Sequence, residues 1–250
     1  MMSIKKYIPD SITSLNLLCG VLGIVTVFQG YFQQAFLLML LAAVFDFFDG
    51  LAARVLNAYS DLGKELDSLA DQVSFGVLPS LMLFCYMSSA NGGVMGLGPW
   101  WVKLLCMLPL LIAVFSGLRL AKFNIDSRQT GSFLGLPTPA CAILCGSIVC
   151  FADASSWQFV EGICSSLWFF PLLSVFLSAL LVCELPMFSL KFHKGDNLRS
   201  AEYVKRYILL AALLVTVAVT AVCRLHWSFI PLLLLKFYIL ENIVAAIMRR

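Results

Sequence analysis

Charge is scarce in this sequence: 12% of its 250 residues are Asp, Glu, Lys or Arg, against about a quarter in soluble globular domains. With 61% hydrophobic residues and a mean hydropathy of +0.93, that shortage excludes a water-soluble globule, because most of the chain must face lipid. Paired cysteine motifs are also missing. The nine cysteines lie mostly inside apolar runs (Cys19, Cys85, Cys106, Cys141, Cys145) without a Cys-x-x-Cys, which argues against a zinc site or a disulfide framework. There are only two histidines; His193 falls in a charged loop and His226 near the opposite face, so neither is given a chemical role. No basic patch is interleaved with aromatics, and the formal charge of +3 does not point to nucleic acid. No repeat or low-complexity tract divides the chain, which reads as a single membrane domain over 1–250. The apolar run after Lys5 and Lys6 carries Pro9, Asp10, Thr13 and Asn16 without a small-residue cleavage site, so it is expected to be a first helix and not a removable signal peptide.

What the sequence does have is apolar runs long enough to cross a bilayer, roughly 17–25 residues each. The expected spans are 11–30, 33–54, 66–88, 100–119, 136–152, 165–188, 207–224 and 228–247, the fifth being short. The fold class is therefore all-α, a polytopic helical bundle of about eight transmembrane helices. Basic residues fall at every second boundary: Lys5 and Lys6; Arg54 and Lys64; Arg119, Lys122 and Arg128; Lys191, Lys194, Arg199, Lys205 and Arg206; Arg249 and Arg250. The excess of Lys and Arg in cytoplasmic loops then places both termini in the cytoplasm. The polar stretch 191–206 is a cytoplasmic loop with room for an interfacial helix. Trp100, Trp101, Trp157, Trp168 and Trp227 fall at outer span ends as interface anchors, and Pro79 and Pro137 read as helix kinks or starts.

Four acids stand where apolar helices do not tolerate them without cause. Asp46 and Asp49 close the second span; Asp67 and Asp71 open the third. A carboxylate at mid-membrane costs about 2.5–3.5 kcal/mol on insertion scales, less near the cytoplasmic boundary. Residues three or four apart share a helix face, so each helix offers one acidic face, and two antiparallel spans bring both faces to similar depth. Converging carboxylates repel one another unless protons or cations intervene, and hard oxygen ligands favour Mg²⁺ or Mn²⁺. The alternative is that the acids pair with Arg54 or Lys64 at the interface. Against it, Gly50, Ala53 and Gly63 leave room for a ligand or a backbone beside the carboxylates.

The arrangement Asp46-x-x-Asp49-Gly50-x-x-Ala53-Arg54, eight further residues, then Gly63-x-x-x-Asp67-x-x-x-Asp71 resembles the signature of the CDP-alcohol phosphotransferases, all eight fixed positions being present. The resemblance implies a six-helix core, here with two helices added, and a homodimer. It implies that Asp46, Asp49, Asp67 and Asp71 bind two divalent ions holding the pyrophosphate of a CDP-lipid, and that Asp71 is also the general base. It implies contacts from Gly50, Arg54, Ser60 and Gly63 to the CDP moiety; Ser60 is equally readable as a loop hydroxyl. Pro9-Asp10-x-x-Thr13 and Asn16 resemble a segment beside the nucleotide in that family, or else form an N-cap.

Asn16-Leu17-Leu18-Cys19-Gly20, Ser74-Phe75-Gly76-Val77-Leu78-Pro79, Arg119-Leu120-Ala121-Lys122-Phe123-Asn124, Gly135-Leu136-Pro137-Thr138-Pro139 and Pro186-Met187-Phe188-Ser189-Leu190-Lys191 are similar to segments of membrane-spanning phosphatidylserine synthases. Lys122 departs from the Arg of many relatives while keeping the charge. The implied substrates are CDP-diacylglycerol and L-serine, whose carboxylate Arg119 suits in bidentate fashion, with Lys122 and Asn124 as further acceptor-binding candidates. Glycerol 3-phosphate and inositol phosphate are the rival acceptors. A transporter with an acidic ion site is the reading from another class, and an inactive scaffold a third. A donor whose chains stay in the bilayer requires a lateral apolar opening, expected near spans two, three and four.

Overall fold

The structure, a computed structural model, describes residues 7–91, 99–125, 133–155, 157–187 and 201–248. Lys5, Lys6, Arg128, Lys191, His193, Lys194, Arg199, Arg249 and Arg250 lie outside the described residues, as do the side chains of Lys205 and Arg206. The loop expected over 191–206 is outside them as far as residue 200.

Helix α1 (Tyr7–Phe28) and helix α2 (Phe32–Val55) form an antiparallel pair, joined through Gly30, whose φ of +81° is open to glycine at little cost. The chain returns through Leu56–Ser60 into α3 (Asp61–Asp71), a π-helical turn (Gln72–Val77) and α4 (Leu78–Ala90), which run on as one rod of 30 residues. This rod begins five residues before the expected span, because Ser60 is an N-cap: its Oγ accepts from the Gly63 N–H at 2.9 Å. Two glycines of α1 let the rod come close. A Cβ on Gly20 would strike Ser74 Oγ, and one on Gly23 would meet Leu78 Cδ2 at 2.6 Å.

Helices α5 (Trp100–Met107) and α6 (Leu111–Ile125) are linked by a 3₁₀ turn at Leu108–Leu110 that contains Pro109. Helix α7 (Thr138–Ala154) is the core of the bundle: Cys141, Ala142, Cys145, Gly146, Val149 and Cys150 are all buried, and a Cβ on Gly146 would meet the Phe36 ring at 2.5 Å. The expected sixth span, 165–188, is helical only over Phe169–Val182. Helix α8 (Gln158–Cys164) meets α9 (Phe169–Val182) at 65°, and beyond Val182 the chain is extended instead of helical. There strand β2 (Pro186–Met187) pairs antiparallel with β1 (Phe133–Leu134), Phe133 opposite Met187, a two-residue addition to an otherwise helical fold. Helices α10 (Ala201–Val222) and α11 (Phe229–Met248) complete the chain and pack on each other, and α11 packs on α7.

Among the described residues, four helices are long and apolar enough to cross a membrane: Tyr7–Phe28, Phe32–Val55, Asp61–Ala90 and Trp100–Ile125; the bent pair α8–α9 makes a fifth if it is one span. Their outer surface carries exposed Phe28, Leu37, Val44, Leu118, Leu172 and Phe176, a distribution that suits lipid as the solvent. Trp100, Trp101, Trp157, Trp168 and Trp227 remain partly to largely exposed; Trp227 also stacks on Phe36, ring centroids 5.4 Å apart. Pro79 and Pro137 stand at helix starts, in the first turn of α4 and at the N-cap of α7.

Candidate functional site: aspartates beside a polar cavity

The end of the bundle where α2 finishes and α3 begins gathers the acids. Oxygens of Asp46, Asp49 and Asp67 lie within 4.8 Å of one another. Asp71 stands outside this trio, one turn further along the rod, and within electrostatic reach of all three. Helix α1 orders both groups: Thr13 Oγ1 donates to Asp49 Oδ2 at 2.6 Å, and Asn16 Nδ2 donates to Asp71 Oδ1 at 3.3 Å. Asn16 is itself held through its carbonyl, which accepts from Ser74 Oγ at 3.1 Å. Thr13 and Asn16 of the first span thus each bond an aspartate, and the N-cap reading fails because Asp10 and Thr13 lie inside α1.

A cavity of about 290 Å³ opens beside the trio. Asp10, Thr13, Asp49, Gly50, Arg54, Ser60, Gly63 and Asp67 line it, which brings together most of the residues singled out from the sequence. Tyr59 also lines it and was not anticipated, its only sequence signal being its place between the two acidic pairs; Lys64, weighed from the sequence only as a counter-charge to the acids, lines it too. Arg54 curls onto its own helix, Nε to Gly50 O at 2.9 Å, and Lys64 Nζ donates to Asn124 O at 3.2 Å. Those contacts run against the reading in which Arg54 and Lys64 serve to neutralise the acids. Gly63 keeps the cavity open: a Cβ there would sit 2.8 Å from Asp10 Oδ1 and 2.9 Å from Ser60 Oγ. Ser60 is thus both a cap and a wall.

The acceptor candidates separate. Arg119 is 7% exposed, Nη1 donating to Thr138 Oγ1 at 3.3 Å, with Phe123 beneath the guanidinium and Asp71 within electrostatic reach. Lys122 turns away to an exposed ion pair with Glu184 at 3.5 Å. Asn124 fastens the end of α6 to α3, its Nδ2 donating to Ser68 Oγ at 2.8 Å. All three ride on α6, which stays helical to Ile125, past the expected end of the fourth span at 119.

Around this seam Asn16 Oδ1, Asp67 Oδ1, Gln72 Oε1, Ser116 Oγ and Arg119 Nε are buried without a hydrogen-bond partner among the described residues. Each such group costs about 1–3 kcal/mol when left unmet, so a ligand, ion or ordered water that met these atoms would be stabilised here. For the trio a divalent ion fits. Its donors are hard carboxylate oxygens, and the unmet Asp67 oxygen is one of them. Opposite ligands of an ion at 2.0–2.1 Å are about 4.2 Å apart, so a small closing of the three side chains would seat one.

Beside the cavity, on the α1–α2 side, lies an apolar groove of about 460 Å³ lined by Ile12, Phe45, Phe48, Leu51, Ala52, Val55 and Leu56. This groove lies on α1 and α2, one helix earlier than the opening expected near spans two, three and four. Phe45, Phe48, Leu51, Ala52 and Val55 of α2 line that groove while Asp49 and Gly50 line the polar cavity.

Membrane-crossing helices that hold carboxylates round a shared point, with a polar cavity and an apolar groove side by side, define an integral membrane protein with an acidic site at one end. The chain belongs to the CDP-alcohol phosphatidyltransferase family, whose model matches residues 6–180. It is 36% identical over 198 residues to the CDP-diacylglycerol--serine O-phosphatidyltransferase of Bacillus subtilis (strain 168), covering 79% of this chain and 99% of that one. It is 35% identical over 189 residues to the Mycobacterium bovis protein of the same name, covering 73% of this chain and 61% of that one. The archaeal counterpart of Methanocaldococcus jannaschii is 36% identical over 146 residues, covering 58% and 62%.

Proposed function

We propose that this protein transfers the phosphatidyl group of CDP-diacylglycerol to the hydroxyl of L-serine, giving phosphatidylserine and CMP. The observation that carries the reading is one cavity walled by Asp49, Gly50, Ala53, Arg54, Gly63 and Asp67, six of the eight signature positions drawn from two helices. The relatives' shared name supports serine as acceptor.

In this reading the cavity holds the cytidine and pyrophosphate, with Asp10, Thr13, Ser60 and the Gly50 and Gly63 backbones as its surface, and Arg54 swings from its own helix to phosphate oxygens. The diacyl chains lie along Ile12, Phe45, Phe48 and Val55. Asp46, Asp49, Asp67 and Asp71 hold two Mg²⁺ or Mn²⁺ ions, which supply charge neutralisation of the pyrophosphate. The serine oxygen attacks the lipid-side phosphorus while Asp71 takes its proton; the bond to CMP breaks, and CMP leaves with the electron pair. Asn16 holds Asp71 in place, and Arg119 receives the serine carboxylate. Lys122 and Asn124 serve as anchors of α6, engaged as they are with Glu184 and Ser68.

The proposed topology has eight crossings with both termini, and the site, in the cytoplasm. Arg54, Lys64, Arg119 and Lys122 sit at the acidic end, as the positive-inside tendency requires. A rod of 30 residues is about 45 Å long, longer than a hydrocarbon layer of about 30 Å, so its acidic end reaches the headgroup region where a soluble amino acid arrives.

The test is CMP release from CDP-diacylglycerol by detergent-purified protein with L-serine, glycerol 3-phosphate or inositol phosphate in parallel. Serine-dependent release, abolished by EDTA and restored by Mg²⁺ or Mn²⁺, is the expected result; release with a different acceptor alone refutes serine. A second expectation concerns Gly63→Leu, which fills the cavity against Asp10 and Ser60. Overpacking of this size costs about 1–3 kcal/mol, so KM for CDP-diacylglycerol should rise about 5- to 150-fold with KM for serine little changed.

A further inference from the structure

A serine acceptor brings an ammonium as well as a carboxylate, and none of the residues assigned so far receives it. The rod and α6 meet at a seam that offers what an ammonium needs. Gln72, the first residue of the π-helical turn, donates Nε2 to Ala113 O at 2.9 Å, so that its amide is fixed against α6. Its carbonyl Oε1 is buried and unpartnered. Gly76 and Gly117 leave room for that carboxamide against α6: Cβ atoms on them would stand 3.0 and 3.3 Å from Gln72 Oε1. Ser116, fully buried with its Oγ unpartnered, is the next wall, its Cβ 3.1 Å from the same Gly76 position. Ser116 and Arg119 are three apart on one helix and share a face, and Arg119 adds an unpartnered buried Nε–H. One seam thus holds two orphan oxygens and one orphan cationic donor, next in sequence to Asp71.

We propose that Gln72 and Ser116 are specificity-determining residues for the acceptor: their side-chain oxygens accept from its ammonium while Arg119 donates to its carboxylate. The inference rests on the serine reading and extends it. The polarity suits a zwitterion, since Gln72 Oε1 can only accept and so opposes a phosphate oxygen, Ser116 Oγ can accept beside it, and a neutral polyol would leave Arg119 unmet. Buried polar atoms that lose their partner make a site reject the analogue lacking the matching group, so the seam should discriminate L-serine from 3-hydroxypropionate, which has the hydroxyl and carboxylate but no ammonium.

The experiment compares kcat/KM for L-serine and 3-hydroxypropionate in the intact protein, Gln72→Leu, Gln72→Glu and Ser116→Ala. The expected result is that Gln72→Leu lowers the serine preference at least about tenfold, the weight of one hydrogen bond to a charged group. Ser116→Ala should lower it less, and Gln72→Glu, which keeps an acceptor oxygen, should preserve it. KM for CDP-diacylglycerol should stay within twofold throughout. A fall of both acceptors by the same factor in Gln72→Leu, or a preference unmoved by it, overturns the inference while leaving the serine reading intact. No serine-dependent CMP release from the intact protein overturns both.

Discussion

Replacing Asp71 with Asn should lower serine-dependent CMP release by about 10²–10⁴-fold, the range for loss of a general base, with CDP-diacylglycerol still bound. The two side chains have the same shape, and Asn offers the same Oδ1 to which Asn16 Nδ2 donates at 3.3 Å, so the helix pair has no reason to move. What is lost is the ability to take up the serine proton, together with one charged ligand of the proposed pair of metal ions, so excess Mn²⁺ should not restore the rate. Asp46→Asn should behave differently. Asp46 belongs to the trio whose oxygens lie within 4.8 Å, so its loss should appear first as a higher Mn²⁺ requirement, partly overcome by excess ion. Turnover by Asp71→Asn above a tenth of the unmodified rate would remove Asp71 from the chemistry.

The second large effect is on folding. Gly135 has a φ of +76° and sits under three carbonyls: a Cβ there would lie 2.7 Å from Leu181 O, 2.8 Å from Cys183 O and 3.1 Å from Leu180 O. Backbone oxygens at the end of a packed helix cannot swing aside. Gly135→Ala therefore combines about 1–2 kcal/mol for a side chain in the left-handed region with about 1–3 kcal/mol of overpacking. At about 2–4 °C per kcal/mol for a chain of this size, the unfolding midpoint in detergent should drop by about 4–20 °C. Gly30→Ala is the control: its φ is +81° but nothing lies within 4 Å of the new Cβ, so only the conformational part should appear. Activity should fall further than stability in Gly135→Ala, because Gly135 and Leu136 bond to Leu185 O and Leu180 O and so set the start of α7, where Thr138 accepts from Arg119. Equal midpoints for the two variants would show that this strap yields.

The acidic site was legible because its chemistry is local: Asp46 with Asp49 and Asp67 with Asp71 declare their faces by spacing alone, and one short loop forces the faces together. Thr13 and Asn16 were legible only by resemblance, since nothing in a first span announces which later carboxylate it will meet. Three other features escaped. The π-helical turn at Gln72–Val77 leaves no mark, because Gln72, Ser74 and Gly76 alternating with apolar residues give no period that tells a π turn from an α turn. The bend between α8 and α9 lies at Ser165 and Ser166, polar residues too few to interrupt a hydropathy window. The pairing of Phe133 with Met187 joins segments that are distant in the chain and two residues long, below any alternating pattern. Gln72 and Ser116 escaped for a further reason: a lone polar side chain in a span is as often bonded to its own helix, as Ser147 and Ser174 are, and only the unpartnered atoms distinguish these two.

The π-helical turn at Gln72–Val77 inserts extra chain into an otherwise α-helical rod, so the half that carries Asp67 and Asp71 and the half that carries Leu78, Met82 and Leu83 are out of phase by about the 100° that one residue subtends. The turn works as a fixed rotary coupling: the inner half is indexed to the reacting groups and the outer half to the core. Deleting a single residue from the turn would let the rod close into continuous α-helix, and with its outer half still locked in the core, the aspartates would swing away from α2 as a block.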